Sequence, residues 1–163
     1  MGPLENQRPV GHIIFDHDGT LVNTEGRTFV LFEGMKELLS VLKLLGFNLY
    51  VWTSRPRKST LESLKRFELE SFFSAIYCSD DGLSKPHPMG LNQLTEGISK
   101  KNILHIGDSS TDVDGAKAYG IEVVLACWSG PVQVKNLKEK NQADYLAMNL
   151  RQLLEIIKGK FYV

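Results

Sequence analysis

Short apolar segments alternate with longer amphipathic segments along the chain. The apolar segments are four or five residues long and rich in β-branched and aromatic residues, which is typical of strands buried on both faces of a sheet. They lie at 12–15, 48–52, 74–78, 102–106 and 122–126, with a weaker sixth at 143–147. Apolar residues recur at helical spacing between them, at 35–46, 58–68, 89–99, 111–120 and 150–159. This alternation predicts an α/β fold with a parallel, doubly wound central sheet.

The length of 163 residues favours one domain with a hydrophobic core, spanning 1–163. Residues 1–11 lack the apolar core of a signal peptide, and we expect them to be a flexible N-terminus. Residues 129–163 should complete the core, although 129–142 is a stretch to which the pattern assigns no structure. The glycines at 46 and 120 stand where a helix C-terminus favours glycine.

Composition and charge exclude several classes of function. The chain has 42% hydrophobic residues, and its 19 basic and 19 acidic side chains cancel, so neither a nucleic-acid surface nor an anionic-membrane surface is indicated. No run approaches the ~18 apolar residues of a membrane span. Cys78 and Cys127 lie in apolar stretches and are expected to be buried, reduced thiols. These features favour a cytoplasmic enzyme or binding domain.

Reactive polar residues follow four of the predicted strands. Because ligands bind outside the carboxyl ends of the strands in doubly wound folds, these residues should meet at one crevice. They are Asp16 and Asp18 after the first strand, Thr53, Ser54 and Arg55 after the second, Lys85 past the third, and Asp108 and Asp112 after the fourth.

Several carboxylates in one crevice repel each other and lose solvation, so they need a cation among them. A hard divalent ion such as Mg²⁺ takes oxygen ligands and typically recruits a phosphate. Lys85 can add positive charge for that phosphate, and the Thr53 hydroxyl can donate to its oxygens. Asp16 could then attack phosphorus. Asp18, on the same side of an extended chain, could protonate the leaving oxygen and later activate water.

Four ordered segments carry a resemblance to a known family. "FDHDGT", Thr53, "KPHP" and "GDSSTD" resemble the four sequence motifs of the haloacid dehalogenase (HAD) superfamily, over about residues 12–128. The resemblance implies a three-layer Rossmann-like core. It also implies Asp16 as the transiently phosphorylated nucleophile and Asp18 as the general acid/base, whose backbone carbonyl binds Mg²⁺. An acid at position 18 resembles the phosphatase and phosphotransferase branches, so dehalogenation is not expected.

The remaining roles are likewise implied by the resemblance. Thr53 would hold a phosphoryl oxygen, and Lys85 would neutralise both the phosphate and the nucleophile. Asp16 and Asp108 would ligate Mg²⁺, with Asp112 in the metal's shell or next to it. Ser54 joins these residues as a candidate for phosphate or substrate binding.

The chain departs from the family pattern in two respects. His17 stands where the family more often has an apolar residue, so its imidazole either packs or faces the site. Larger members carry a cap domain, whereas here 36 residues separate Asp16 from Thr53 and 31 separate Thr53 from Lys85. A βαβ unit itself needs about 30 residues, so neither gap holds a cap. Residues 21–32, with two apolar arms around "NTEG", predict the small flap hairpin of the HAD fold.

Simpler interpretations exist for several of these residues. Asp18 and Gly19 could be a plain turn, and Thr53 and Ser54 could merely end a strand. By itself, Lys85 would be interpreted as a solvated lysine.

Other positions also have structural alternatives. Asp112, three residues after Ser109, could form a capping box. Arg55 could grip an anionic group of the substrate or be solvated, and the sequence leaves both open. His105, within a strand, is expected to be a hydrogen-bonded core histidine.

The pattern therefore predicts a Mg²⁺-dependent phosphatase that hydrolyses a phosphomonoester through an aspartyl-phosphate on Asp16. One alternative is a phosphotransferase or phosphomutase that uses the same aspartate, and another is a catalytically silent binding module. The expected partner is a phosphorylated substrate, either a small molecule or a macromolecule. A site without a cap either accepts large substrates or is closed by another subunit, so a homo-oligomer is a further hypothesis.

Overall fold

A computed structural model describes residues 11–129 and 142–162 of the protein. Six parallel strands form one sheet in the order β5-β4-β1-β6-β7-β8, as the sequence predicts. The strands are β1 (His12–Phe15), β4 (Asn48–Trp52), β5 (Ala75–Tyr77), β6 (Ile103–Gly107), β7 (Glu122–Ala126) and β8 (Tyr145–Ala147). The predicted flap is confirmed as an antiparallel hairpin of β2 (Val22–Asn23) and β3 (Val30–Leu31).

Five helices among the described residues cover the two faces of the sheet. They are α1 (Met35–Leu44), α2 (Arg57–Arg66), α3 (Met89–Thr95), α4 (Ser110–Tyr119) and α5 (Leu150–Phe161). One core cluster combines β-strand side chains with α1, α2 and α5, and a second combines them with α3 and α4. Phe15 belongs to the first cluster and Ile14 to the second, because successive side chains of a strand point to opposite faces. The three-layer α/β fold is therefore confirmed.

The ends of several helices differ from the sequence pattern, and α1 and α2 each end two residues earlier than predicted, at Leu44 and Arg66. Helix α3 was predicted to run to residue 99 but ends at Thr95, because Glu96 leaves the helical conformation at φ −54° and ψ 132°. Helix α5 continues two residues beyond the predicted 159, and Phe161 packs edge-on against Phe47 with ring centroids 5.2 Å apart. The predicted C-terminal glycine of α4 is confirmed, since Gly120 adopts φ 86° and its N–H donates to Ala116 and Lys117 carbonyls.

The sheet order places a switch point beside β1. The chain passes from β1 to β4 and β5 toward one edge of the sheet, and then from β6 to β7 and β8 toward the other edge. Ligands of doubly wound folds bind in the crevice at such a point, outside the carboxyl ends of the strands. Asp16 directly follows β1 and Asp108 directly follows β6, so both lie at this crevice.

Two further expectations concern the described residues. Cys78 and Cys127 are both buried, as predicted. None of the described helices combines the length and apolar character needed to cross a bilayer. The predictions for residues 1–10 and for 130–141 lie outside the described residues.

Candidate active site

A pocket of about 480 Å³ lies at the carboxyl ends of the central strands. It brings together predicted residues from all four segments, which lie far apart in the chain. Its lining consists of Asp16, Asp18, Thr53, Ser54, Arg55, Pro56, Lys85, Asp108, Ser109 and Thr111. Asp112, the remaining predicted residue, is fully buried and contacts Lys85.

A tight turn after β1 holds Asp16 and Asp18 at the crevice. The carbonyl of His17 accepts hydrogen bonds from the N–H groups of Leu21 and Val22 at 3.0 and 3.1 Å. Gly19 adopts φ 77°, and a Cβ at this position would collide with the Asp108 carboxylate. The turn therefore needs glycine for its conformation and for the close approach of the strand ends.

Three carboxylates form an acidic cluster at the pocket, and two of them, Asp16 and Asp108, line it. Asp16, Asp108 and Asp112 can each offer an oxygen such that all three oxygens lie within 4.8 Å of one another. Asp16 and Asp112 are buried, and Asp108 is half-buried. Oxygen ligands in this number and spacing fit a hard divalent cation, which makes the cluster a candidate metal site.

Lys85 is the cation inside this cluster. Its ammonium donates to Asp16 Oδ1 at 2.8 Å and to Asp112 Oδ1 at 2.5 Å, and its side chain is only 2% exposed. It also lies 4.7 Å from the centre of the Trp52 ring, a cation–π contact. The solvated alternative for Lys85 is therefore wrong.

The single ammonium does not balance the negative charge of the cluster. Burial, together with the Asp112 and Asp108 carboxylates, raises the pKa of Asp16 to about 8 in spite of Lys85. Without a metal, the cluster thus favours a proton on Asp16. A divalent cation would supply the missing positive charge and keep Asp16 ionised.

Asp18 lies apart from the cluster and is held by three side chains. Arg55 donates from Nε to Oδ1 at 3.0 Å and from Nη2 to Oδ2 at 2.7 Å. His17 Nδ1 lies 2.6 Å from Oδ1, and Thr24 donates to Oδ2 at 3.1 Å. Burial alone would raise the pKa of Asp18. The contacts with His17 and Arg55 outweigh burial and hold this pKa well below its usual range.

Thr53 and Ser54 directly follow β4 and line the pocket. Thr53 is 2% exposed, and its hydroxyl oxygen accepts from the backbone N–H of Arg55 at 3.0 Å. This contact uses a lone pair, so the hydroxyl can still donate its hydrogen to a ligand oxygen. Ser54 is exposed and lines the pocket.

His105 connects the acidic cluster to the centre of the sheet. As expected it is a buried, hydrogen-bonded histidine: Nδ1 lies 2.8 Å from the Ile14 carbonyl and Nε2 lies 2.8 Å from Asp112 Oδ1. Its contact with the site was missed because nothing in the sequence pairs position 105 with position 112. Asp112 Oδ2 also accepts from the N–H of Ser109 at 3.2 Å, which confirms the capping box.

His17 is the other neighbour that the sequence left open. Its ring is fully buried and lies against Asp18, and Nε2 lies 2.8 Å from the Ser63 hydroxyl in α2. The available signal was a histidine between the two candidate catalytic carboxylates, since a buried imidazole there needs hydrogen-bond partners. Arg55 forms an ion pair with Asp18 and is only 21% exposed, so it is not a freely solvated side chain.

The fold and site define a three-layer α/β protein with an acidic, lysine-bridged crevice at the switch point of its sheet. The model of the haloacid dehalogenase-like hydrolase family matches residues 25–126, a range that contains Thr53, Lys85, Asp108 and Asp112 and begins after Asp18. The match covers more than half of the chain. The protein therefore belongs to the haloacid dehalogenase-like hydrolases.

Curated relatives share this core. The chain is 33% identical over 121 residues to phosphoglycolate phosphatase of Escherichia coli K12, covering 72% of this chain and 47% of that protein. It is 28% identical over 132 residues to pyrophosphatase PpaX of Halalkalibacterium halodurans, covering 79% and 60%. The chain thus spans about half to three-fifths of the length of these relatives.

A solved structure agrees on the fold. A predicted phosphoglycolate phosphatase from Haemophilus somnus superposes with a TM-score of 0.81 at 21% identity, covering 93% of this chain and 99% of that one.

Proposed function

We propose that the protein is a Mg²⁺-dependent phosphatase that hydrolyses a phosphomonoester through an aspartyl-phosphate on Asp16. The observation that carries the proposal is the contact of Lys85 with Asp16 inside the acidic cluster, beside a pocket that Asp18 also lines. The names of the relatives, a phosphoglycolate phosphatase and a pyrophosphatase, support hydrolysis of a phosphate bond.

The first half-reaction transfers the phosphoryl group to the protein. An Asp16 carboxylate oxygen forms a bond to phosphorus while the bond between phosphorus and the leaving oxygen breaks. Asp18 donates a proton to that leaving oxygen, which departs as an alcohol. Thr53 donates to a phosphoryl oxygen, and Lys85 neutralises charge on the phosphate and on Asp16.

The second half-reaction returns Asp16. Asp18 now accepts a proton from water, whose oxygen bonds to phosphorus while the bond between phosphorus and the Asp16 oxygen breaks, and inorganic phosphate is released. The contacts of Asp18 with His17 and Arg55 suit this base role because they favour the ionised form. The acid role needs a proton, and a phosphate dianion bound next to Asp18 raises the pKa of its carboxyl by repulsion.

Asp16 and Asp108 would hold Mg²⁺, together with the backbone carbonyl of Asp18. Asp112 would stand next to the ion, because both of its oxygens are already engaged by Lys85, His105 and Ser109. Bound Mg²⁺ would supply positive charge that draws in a phosphate and stabilises charge on its oxygens.

We expect Mg²⁺ to raise the melting temperature of the protein, with a larger shift at higher Mg²⁺ concentration, as ligand linkage requires. Calorimetry in EDTA and in increasing MgCl₂ measures this shift without any substrate. The Asp108→Asn variant should lose most of the shift. The Asp114→Asn variant, which changes an exposed carboxylate of α4, should keep it. An unchanged melting temperature in the unaltered protein would contradict the metal site.

The Asp18→Asn variant should lower kcat by about 10² to 10⁴, because it removes the group that transfers protons in both half-reactions. Substrates with good leaving groups, such as p-nitrophenyl phosphate, should be affected least in the first half-reaction, so phosphoenzyme should accumulate with them. Acid quench and mass spectrometry of Asp16 would detect this intermediate. Turnover at the unaltered rate would contradict the role of Asp18.

Phosphate release from a panel of phosphorylated metabolites, with Mg²⁺ and with EDTA, tests the activity itself. Metal-dependent release supports the phosphatase. A phosphotransferase would instead move the phosphoryl group to an added alcohol acceptor, and a silent binding module would do neither. Sedimentation of the active sample would show whether the protein works as a homo-oligomer.

A further inference from the structure

Arg55 belongs to the walls of two adjacent pockets. One is the candidate active-site pocket, and the other is a pocket of about 350 Å³ between the hairpin and α2. The second pocket is lined by Phe29, Arg55, Ser59, Glu62, Ser63 and Arg66. The guanidinium therefore stands where a substrate longer than its phosphate would extend.

The guanidinium of Arg55 is fixed by Asp18 and still has N–H donors that this contact does not use. It donates to Asp18 through Nε and Nη2, which occupies one edge of the planar group. Arginine has five N–H donors, and Nη1 makes no hydrogen bond to any residue that the structure describes. Arg55 also lies 4.8 Å from the centre of the Phe29 ring and is 21% exposed. The remaining edge is thus a fixed, two-donor fork that matches a carboxylate or a phosphate.

The charges of the first pocket divide into two positions. Lys85 is taken up by Asp16 and Asp112 at the reacting end. Arg55 is the other cation among the described lining residues, and no aromatic ring is part of that lining. A second anionic group on the substrate would therefore lie beside the Arg55 guanidinium. A nucleobase, by contrast, would have no aromatic ring to stack on among the described residues of this pocket.

We infer that Arg55 determines specificity for phosphate esters that carry a second anionic group, either a carboxylate or a further phosphoryl group, a few bonds from the scissile phosphorus. This inference rests on the proposed phosphatase function. It assigns the unused edge of Arg55 to that second group while the other edge holds Asp18.

The test compares pairs of compounds that differ in the second anionic group. The carboxylate pair is 3-phosphoglycerate and glycerol 3-phosphate, and the phosphoryl pair is propane-1,3-diol bisphosphate and propyl phosphate, so every compound releases an alcohol. For each pair, kcat/KM is measured for both compounds with the unaltered protein and with Arg55→Gln. The ratio of kcat/KM for the doubly anionic compound to that for its partner compound is then compared between the two proteins. Loss of the Asp18 partner affects both members of a pair, so the ratio isolates recognition of the second group.

Arg57 offers a matched control two residues away. It makes the same two-point ion pair, with Asp81 at 2.9 and 2.6 Å, but lines neither pocket. The unaltered protein and Arg57→Gln should prefer the doubly anionic member of at least one pair by about tenfold or more. Arg55→Gln should bring that ratio close to one. The pair that shows the preference identifies the second group as carboxylate or phosphoryl.

Two results would overturn the inference while the phosphatase function stands: hydrolysis without preference in either pair, or a preference that Arg55→Gln leaves unchanged. If none of the four compounds is hydrolysed, the proposed activity is contradicted for these compounds. The role of Arg55 can then still be tested by measuring how tightly the compounds bind. With Mg²⁺ present, 3-phosphoglycerate or propane-1,3-diol bisphosphate should then raise the melting temperature of Asp16→Asn more than its partner compound does. The absence of that difference, or its persistence in Asp16→Asn/Arg55→Gln, would contradict the role of Arg55.

Discussion

The Asp16→Asn variant is expected to lose phosphate release by a factor on the order of 10³ to 10⁶, because it removes the atom that bonds to phosphorus. An amide at position 16 has nearly the same shape as the carboxylate, so the fold should persist. Phosphate release with Mg²⁺, together with circular dichroism of the same sample, measures both effects. Asp114→Asn serves as the matched control, and retained turnover in Asp16→Asn would disprove the aspartyl-phosphate mechanism.

The same substitution should stabilise the metal-free protein at high pH. The pKa of Asp16 is raised in the fold from its usual value of 3.8 to about 8, chiefly by burial. The folded state therefore keeps a proton that the unfolded chain releases, and stability falls as the pH rises from about 4 through about 8. An asparagine carries no charge and avoids this loss. In EDTA, the melting temperature of Asp16→Asn should exceed that of the unaltered protein at pH 9, with a smaller difference at pH 5.

The Lys85→Met variant is expected to have the largest effect on stability. Lys85 contacts two buried carboxylates, and removal of one partner of a buried ion pair typically costs about 3–5 kcal/mol of unfolding free energy. Activity should fall to background as well, because the phosphate loses its ammonium partner. Denaturant unfolding at pH 8 in EDTA and phosphate release in Mg²⁺ measure the two losses.

The pH dependence and a control separate this effect from lost packing. At pH 5 the cost of Lys85→Met should shrink, because Asp16 takes up a proton and reduces the uncompensated charge. Lys117 also pairs with an aspartate, Asp144, but at the surface with 43% of its side chain exposed. Lys117→Met should therefore cost at most about 1 kcal/mol. An equal cost for both substitutions, or one independent of pH, would contradict a charge-balancing role for Lys85.

Local pattern was enough to predict the framework of the site. Six apolar segments became the six strands of the sheet, because a strand buried on both faces needs a continuous apolar run. Several of the reactive residues follow these runs directly, as Asp16 follows β1 and Asp108 follows β6. Parallel strands bring such positions to one edge whatever the details of packing. The pocket and most of its lining could therefore be derived without coordinates.

The pairing of side chains within that pocket required the folded chain. Lys85 reaches Asp16 across 69 positions of sequence, and Arg55 reaches Asp18 across 37. Both Lys85 and Arg55 also had a plausible solvated alternative, which only their observed contacts exclude. A sequence pattern reports the periodicity of one element, whereas these contacts depend on how different elements meet.

The buried histidines make the same point. Position 105 has the apolar neighbours of any central strand residue, and its contact with Asp112 arises because α4 begins directly above the end of β6. His17 contacts Ser63 because α2 packs against the turn after β1. Alternation along the chain thus determined where chemistry could occur, since strand ends follow from local pattern. Tertiary packing decided which charges meet, since hydrogen bonds depend on distances between residues that only the fold brings together.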